Sequence, residues 1–104
     1  MKPKILEKDL QKQILDYLRL RGVFCWKNHS TGIYKQSTGS YIPVGMKGVS
    51  DILAIRNGKL IAIEVKVGKN KPSNVQLEFI EKINENGGIA FLAYSLNDVI
   101  KALE

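Results

Sequence analysis

The sequence predicts one α/β domain with a mixed central β-sheet flanked by helices in three layers. Three observations carry this. Apolar residues recur at helical spacing in three stretches: Leu6, Leu10, Ile14 and Leu18; Val75, Phe79, Ile80 and Ile83; Leu96, Val99, Ile100 and Leu103. Two β-rich runs, 51–56 and 60–67, flank Asn57-Gly58, a dipeptide suited to a two-residue hairpin turn. Another β-rich run, 89–94, follows the second helical stretch, so the segment 60–94 reads as a strand, helix, strand crossover with right-handed parallel pairing expected. A chain of 104 residues suits a single domain, residues 1–104.

The elements follow in order. The first helix covers about 6–20, with Tyr17 beside its stripe and Gly22 at its stop. Residues 23–27 read as a short strand, with Trp26 expected in the core. Residues 28–48, rich in Ser, Thr, Gly, Lys and Tyr and containing Pro43, read chiefly as a long exposed loop, with room for a small hairpin through 37–40. Such loops in compact domains are usually functional or disordered. After the Asn57-Gly58 hairpin comes a basic turn at 68–72. Ser73 then caps a helix running to about residue 86, which Gly87-Gly88 ends. Ser95 caps the last helix, with Asp98 completing a capping-box-like pattern. The expected order is α-β-β-β-α-β-α.

Composition narrows the function classes. Apolar residues make up 44% and charged residues 25%, an ordinary globular balance. Sixteen basic against ten acidic residues leave +6, which favours a polyanionic partner, nucleic acid first, although simple solubility accounts for the charge equally well. Cys25 and His29 are the only residues of their kinds, which excludes an intrachain disulfide, a Cys-based zinc cluster and a multi-His metal site. No apolar run reaches the length of a membrane span, and the first ten residues are too charged for a signal peptide, so a cytoplasmic protein without membrane contact is expected. Neither Gly58-Lys59 nor Gly68-Lys69 belongs to a phosphate-loop pattern, so no nucleotide cofactor is expected.

The hairpin register gathers charge. With Asn57-Gly58 as the turn, Arg56 faces Lys59, Ile55 faces Leu60, Leu53 faces Ala62, and Asp51 comes opposite Glu64. Alternation places Lys66 on the face of Glu64, while Ile52 with Ile63 and Ala54 with Ile61 make the other face apolar. Two opposed carboxylates repel each other. A divalent cation would relieve that repulsion, and hard oxygen ligands suit Mg²⁺ or Mn²⁺. A solvated cluster bridged by Lys66 fits the residue types equally well, and a one-residue slip of register would move Asp51 to the other face. A metal held there binds a phosphate oxygen and activates water, and a neighbouring lysine orients or deprotonates that water or offsets transition-state charge. With a basic surface, the natural substrate is a phosphodiester backbone.

Ser50-Asp51, the hairpin and Glu64-Val65-Lys66 resemble the PD-(D/E)xK nuclease signature, with Ser50 where the motif name has proline. Within that superfamily the chain is similar to the VRR-NUC (virus-type replication-repair nuclease) domain over nearly its whole length. The residues that carry this are Glu7 near the start of the first helix, Gly48-Val49-Ser50-Asp51, Glu64-Val65-Lys66, and Gln76 on the next helix. The resemblance implies a restriction-endonuclease-like fold. It also implies metal ligation by Asp51, Glu64 and the Val65 carbonyl, with Glu7 joining directly or through water. Lys66 would act on the water, and Gln76 would hold Lys66 or the water. Without the resemblance, Glu7 reads as an acidic residue favourable at a helix N-terminus and Gln76 as a boundary residue; Glu78, Glu81 and Glu85 fall on an outer face.

The resemblance further implies a structure-specific endonuclease acting as a homodimer on branched DNA such as Holliday junctions, and the small size suggests a phage or prophage gene. DNA contacts are expected from Lys27, Lys35, Lys47, Lys69 and Lys71, with Asn28, His29 and Tyr34 in the long loop. Each lysine singly is equally an ordinary surface residue. Two other readings compete. A non-catalytic nucleic-acid-binding module is opposed by the intact Asp51, Glu64 and Lys66. Another PD-(D/E)xK branch, an archaeal-type junction resolvase or a restriction-like endonuclease, is opposed chiefly by Gln76.

Overall fold

The computed structural model describes residues 5–29, 32–43 and 46–104, with 32–35 and 41–43 described by backbone alone. The elements are α1 (Glu7–Leu20), β1 (Phe24–Lys27), β2 (Gly32–Lys35), β3 (Ser40–Pro43), β4 (Ile52–Arg56), β5 (Lys59–Val65), α2 (Asn74–Glu85), β6 (Ile89–Ala93) and α3 (Leu96–Leu103). Four strands make one mixed sheet in the order β1-β4-β5-β6. The β1–β4 and β4–β5 pairs are antiparallel, and β5 pairs with β6 in parallel across α2, as the crossover reading expected. Among the described residues the fold is α/β, with three helices and a four-stranded mixed sheet.

The hairpin register follows from its turn. Asn57 and Gly58 both take positive φ, 52° and 76°. That is the geometry of a two-residue turn whose twist matches the strands. Arg56 then pairs with Lys59, Leu53 with Ala62 and Ile52 with Ile63, the predicted register. Alternation sends Ile52, Ala54, Ile61, Ile63 and Val65 to one face. There they bury against Leu10, Ile14, Leu15 and Leu18 of α1 and Val99 of α3. α2 packs on β5 and β6, and none of its residues joins that core, so it covers the other face.

Several expectations are corrected. Within 28–48, β2 and β3 form a separate antiparallel hairpin with Gly32 opposite Pro43 and Lys35 opposite Ser40, its turn at 36–39 falling where the sequence allows a small hairpin through 37–40. The order α-β-β-β-α-β-α therefore lacks two short strands. Leu6 is the N-cap of α1 rather than part of its buried stripe, and it is exposed. Trp26 lies outside the core: it pairs with Leu53 on the face of the sheet that α2 shares, half-buried, with its ring 5.4 Å from that of Phe24.

α2 buries none of its residues fully, so burial contributes little to holding its first turn. Its N-terminus is held instead by a reciprocal cap: Gln76 N donates to Ser73 Oγ at 3.2 Å, and Ser73 N donates to Gln76 Oε1 at 2.9 Å. Ser73→Ala is expected to cost about 1 kcal/mol and to speed amide exchange first at residues 74–77. Exchange unchanged there would show that the cap is not what holds the helix.

Candidate metal centre

At one end of the sheet, β1 finishes, β4 begins and β5 finishes, and their terminal residues converge. Asp51 stands one residue before β4, in a bend rather than in the strand itself. Its backbone carbonyl accepts from Asn28 N at 2.8 Å, and its Oδ2 accepts from Val65 N at 2.8 Å. The second contact ties the carboxylate across the hairpin to the residue beside Glu64. Ser50 and Glu64 flank this point, buried to 0% and 1% exposure. Lys66 follows the last residue of β5; its backbone N donates to the Ala93 carbonyl at 3.0 Å, and its Nζ lies 3.6 Å from Glu64 Oε1.

The electrostatics show how this cluster is strained. Burial pushes the Glu64 carboxyl up from its ordinary 4.5 to about 7, and the negative charge of Asp51 pushes in the same direction. The charge of the Lys66 ammonium opposes them, and Glu7 adds a smaller upward push. Among the described residues the Lys66 ammonium is paired with Glu64 alone. Glu64 Oε2 and Ser50 Oγ are moreover buried without any hydrogen-bond partner, a costly state for polar atoms in a protein interior. A divalent cation held by Glu64 and Asp51 would satisfy Oε2 and offset the excess negative charge. Among the described residues no group of three or more His, Cys, Asp or Glu side chains gathers closely enough to hold a metal alone. Backbone oxygen and water would complete such a site, as is ordinary for Mg²⁺.

Gly48 lets the loop before β4 approach α2. Its φ is +79°, and a Cβ there would fall 2.6 Å from both the carbonyl oxygen and Cγ1 of Val75. Val75, expected on the buried stripe, is 44% exposed and instead marks this crossing. Because a backbone atom is in the way, Gly48→Ala is expected to cost about 2–4 kcal/mol and to displace Asp51. Urea denaturation measures the first effect. A variant as stable as the wild type would show that the crossing is not tight.

The structure brings Asp51, Glu64 and Lys66 together at the sheet end, with the Asp51 carboxylate on Val65 N and the Lys66 ammonium 3.6 Å from Glu64 Oε1. It does not place Gln76 as expected, since the side-chain oxygen of Gln76 is engaged in the α2 cap rather than by Lys66. The Ser73-x-x-Gln76 spacing is itself a capping-box signature, so this outcome was legible in the sequence. Ser50 was noted only as a departure from a motif, and nothing in its residue type announces complete burial. Lys27 and His29 are exposed and Asn28 is half-buried at the end of β1. Lys47 is exposed before Gly48, and Lys69 and Lys71 are exposed after β5. These elements share the Asp51–Lys66 end of the sheet. The side chains of Tyr34 and Lys35 lie outside the described residues. No helix among the described residues is long and apolar enough to cross a membrane.

The chain matches no protein-family model, and no curated protein matches it significantly. The functional reading therefore stands on the residues and their geometry.

Proposed function

We propose that this chain is a metal-dependent DNA endonuclease of the PD-(D/E)xK type, restriction-endonuclease-like in fold and similar to the VRR-NUC domain, acting as a homodimer on branched DNA. The observation that carries the reading is the buried, unpartnered Glu64 Oε2, set beside the Asp51 carboxylate and the Lys66 ammonium. Lys66 engages Oε1 alone, which leaves the buried Oε2 free to take a cation.

In this reading Glu64, Asp51 and the Val65 carbonyl hold Mg²⁺ or Mn²⁺, with Glu7 reached directly or through water. Bound metal supplies Lewis acidity toward a phosphate oxygen and a lowered pKa for water. The Asp51–Val65 hydrogen bond fixes one carboxylate against the strand end, so the ligands are preorganised. Lys66, tethered at its backbone to Ala93 and with its ammonium 3.6 Å from Glu64 Oε1, would orient the attacking water and offset developing negative charge. Lys27, Lys47, Lys69 and Lys71 would contact phosphates on either side, which makes binding fall steeply with salt. A two-fold dimer suits a junction with two symmetric strands to cut.

The Gln76 cap favours one second reading. It engages the feature that separated VRR-NUC from its relatives, so an archaeal-type junction resolvase or restriction-like endonuclease is the alternative. A panel of labelled duplex, flap, fork and four-way DNA with Mg²⁺ distinguishes them. The proposal expects the four-way junction to be cut in preference to duplex. Cutting confined to particular duplex sequences would favour the restriction-like branch.

A further inference from the structure

The strand register puts an open aromatic surface on the same face of the sheet as Glu64. Trp26 pairs with Leu53, and Leu53 with Ala62, so these three form one row across β1, β4 and β5. Residues two apart on a strand share a face. Phe24, Ile55 and Leu60 therefore make the next row on that face. In the other direction the following row is Asn28, Asp51 and Glu64. Asn28 N donates to the Asp51 carbonyl, and Glu64 lies two residues beyond Ala62 on β5. Two residues of strand span about 7 Å. Trp26 thus stands one such step from the row of the metal centre, and Phe24 stands two. α2 packs over β5 and β6. Toward the β1 edge the face stays open, with Phe24 68% and Ile55 44% exposed. The Phe24 and Trp26 rings lie 5.4 Å apart, tilted by 47°, and make one aromatic surface.

We infer that Phe24 and Trp26 form a stacking platform for unpaired bases of the DNA strand whose phosphate enters the metal centre. The inference rests on the nuclease reading and gives it a substrate geometry. Proteins hold single strands by stacking bases on aromatic rings beside cations, because every base offers a π-face. The cations here gather at the end of the platform nearest the centre. Lys66 stands beside Glu64, Lys27 is exposed at the end of β1, and Lys47 is exposed in the segment that leads to Asp51. No acidic residue occurs in 24–27 or in 52–63, the stretches that build the platform. Charge complementarity therefore selects a polyanion over a second copy of this chain, which carries the same +6. Paired duplex keeps its base faces within its own stack. A strand freed beside a branch point offers them, so the platform gives a physical source for preference toward branched DNA.

Trp26 is the only tryptophan of the chain, so its fluorescence reports on the platform directly. Metal-free protein is titrated in EDTA with hexathymidylate and, separately, with a short blunt duplex. The single strand is expected to quench Trp26 emission saturably, and the duplex to bind without comparable quenching. Phe24→Ala is expected to weaken single-strand binding about tenfold, and Phe24→Tyr, which keeps a ring, to retain it. Phe24 lies outside the buried core, so both variants keep that core intact. No quenching in the wild type, equal quenching by duplex, or wild-type affinity in Phe24→Ala would overturn the inference whatever the cleavage result. Sedimentation of the same proteins covers the rival occupant: a dimer that becomes a monomer in Phe24→Ala, with DNA affinity unchanged, would overturn the inference and give this face to a second copy. Quenching that Phe24→Ala weakens, beside a wild type that cuts no DNA, would instead overturn the nuclease reading and leave the platform standing.

Discussion

Glu64→Gln is expected to stabilise the metal-free protein above pH 7 and, on the proposed reading, to abolish DNA cleavage. The two effects have one cause. Folding buries this carboxyl and raises its pKa from 4.5 to about 7, first by desolvation and then by the charge of Asp51. The folded protein thus holds a proton that the unfolded chain releases. The group costs nothing below about pH 4.5, where it is protonated in both states. Stability falls as pH rises from there through about 7, by as much as about 3 kcal/mol. Glutamine carries no such charge, so urea denaturation in EDTA should show the wild-type decline between pH 4.5 and 8 and a flatter profile for the variant. A divalent cation requires the carboxylate, so Mn²⁺ should restore wild-type stability at pH 8 more than at pH 5.5, and the variant should respond weakly. Parallel pH profiles for the two proteins, or equal Mn²⁺ responses, would contradict this account of the centre.

Lys66→Ala carries the second large effect. Its ammonium lowers the Glu64 pKa by its charge, against burial and Asp51. Removing it should move the stability decline to higher pH, which distinguishes loss of this contact from general damage. On the proposed reading the same change removes the group that orients water and offsets phosphate charge, a loss of about 10²–10⁴-fold in cleavage rate. Junction binding should persist, because the exposed lysines around the site remain. A variant that cuts as fast as wild type would remove Lys66 from the mechanism, although the metal ligands could stand.

The parts of this molecule legible in its sequence are those decided locally. Asn57-Gly58 sets a two-residue turn, and the turn sets every pair from Arg56–Lys59 to Ile52–Ile63. That register brings Asp51 and Lys66 to the end of the sheet where Glu64 lies, and the hydrogen bond from Val65 N to Asp51 Oδ2 completes the convergence. Cap residues Ser73 and Ser95 mark two helix starts for the same local reason. What escaped the sequence depends on distant packing. For the second hairpin the sequence marks only the turn near 37–40, because β2 and β3 are four residues each and pair only with one another. Trp26 has the residue type of a core side chain, yet the strand register sends it to the face away from the α1 and α3 core. The complete burial of Ser50 and Glu64, and the stranding of one Glu64 oxygen, require α2 and the loop at Gly48 to close over the sheet end. Gln76 was a matter of competing uses: its helix face pointed toward the sheet, while its spacing from Ser73 pointed to the cap, and the nearer partner won.

The most direct test of the central claim is cleavage of an end-labelled four-way DNA junction by wild type and Lys66→Ala, in Mg²⁺, Mn²⁺ or EDTA. The account predicts cutting by wild type with metal, none in EDTA, and a near-complete loss in the variant with junction binding kept. Tight junction binding by wild type without cutting in either metal would contradict it and leave a nucleic-acid-binding module in its place.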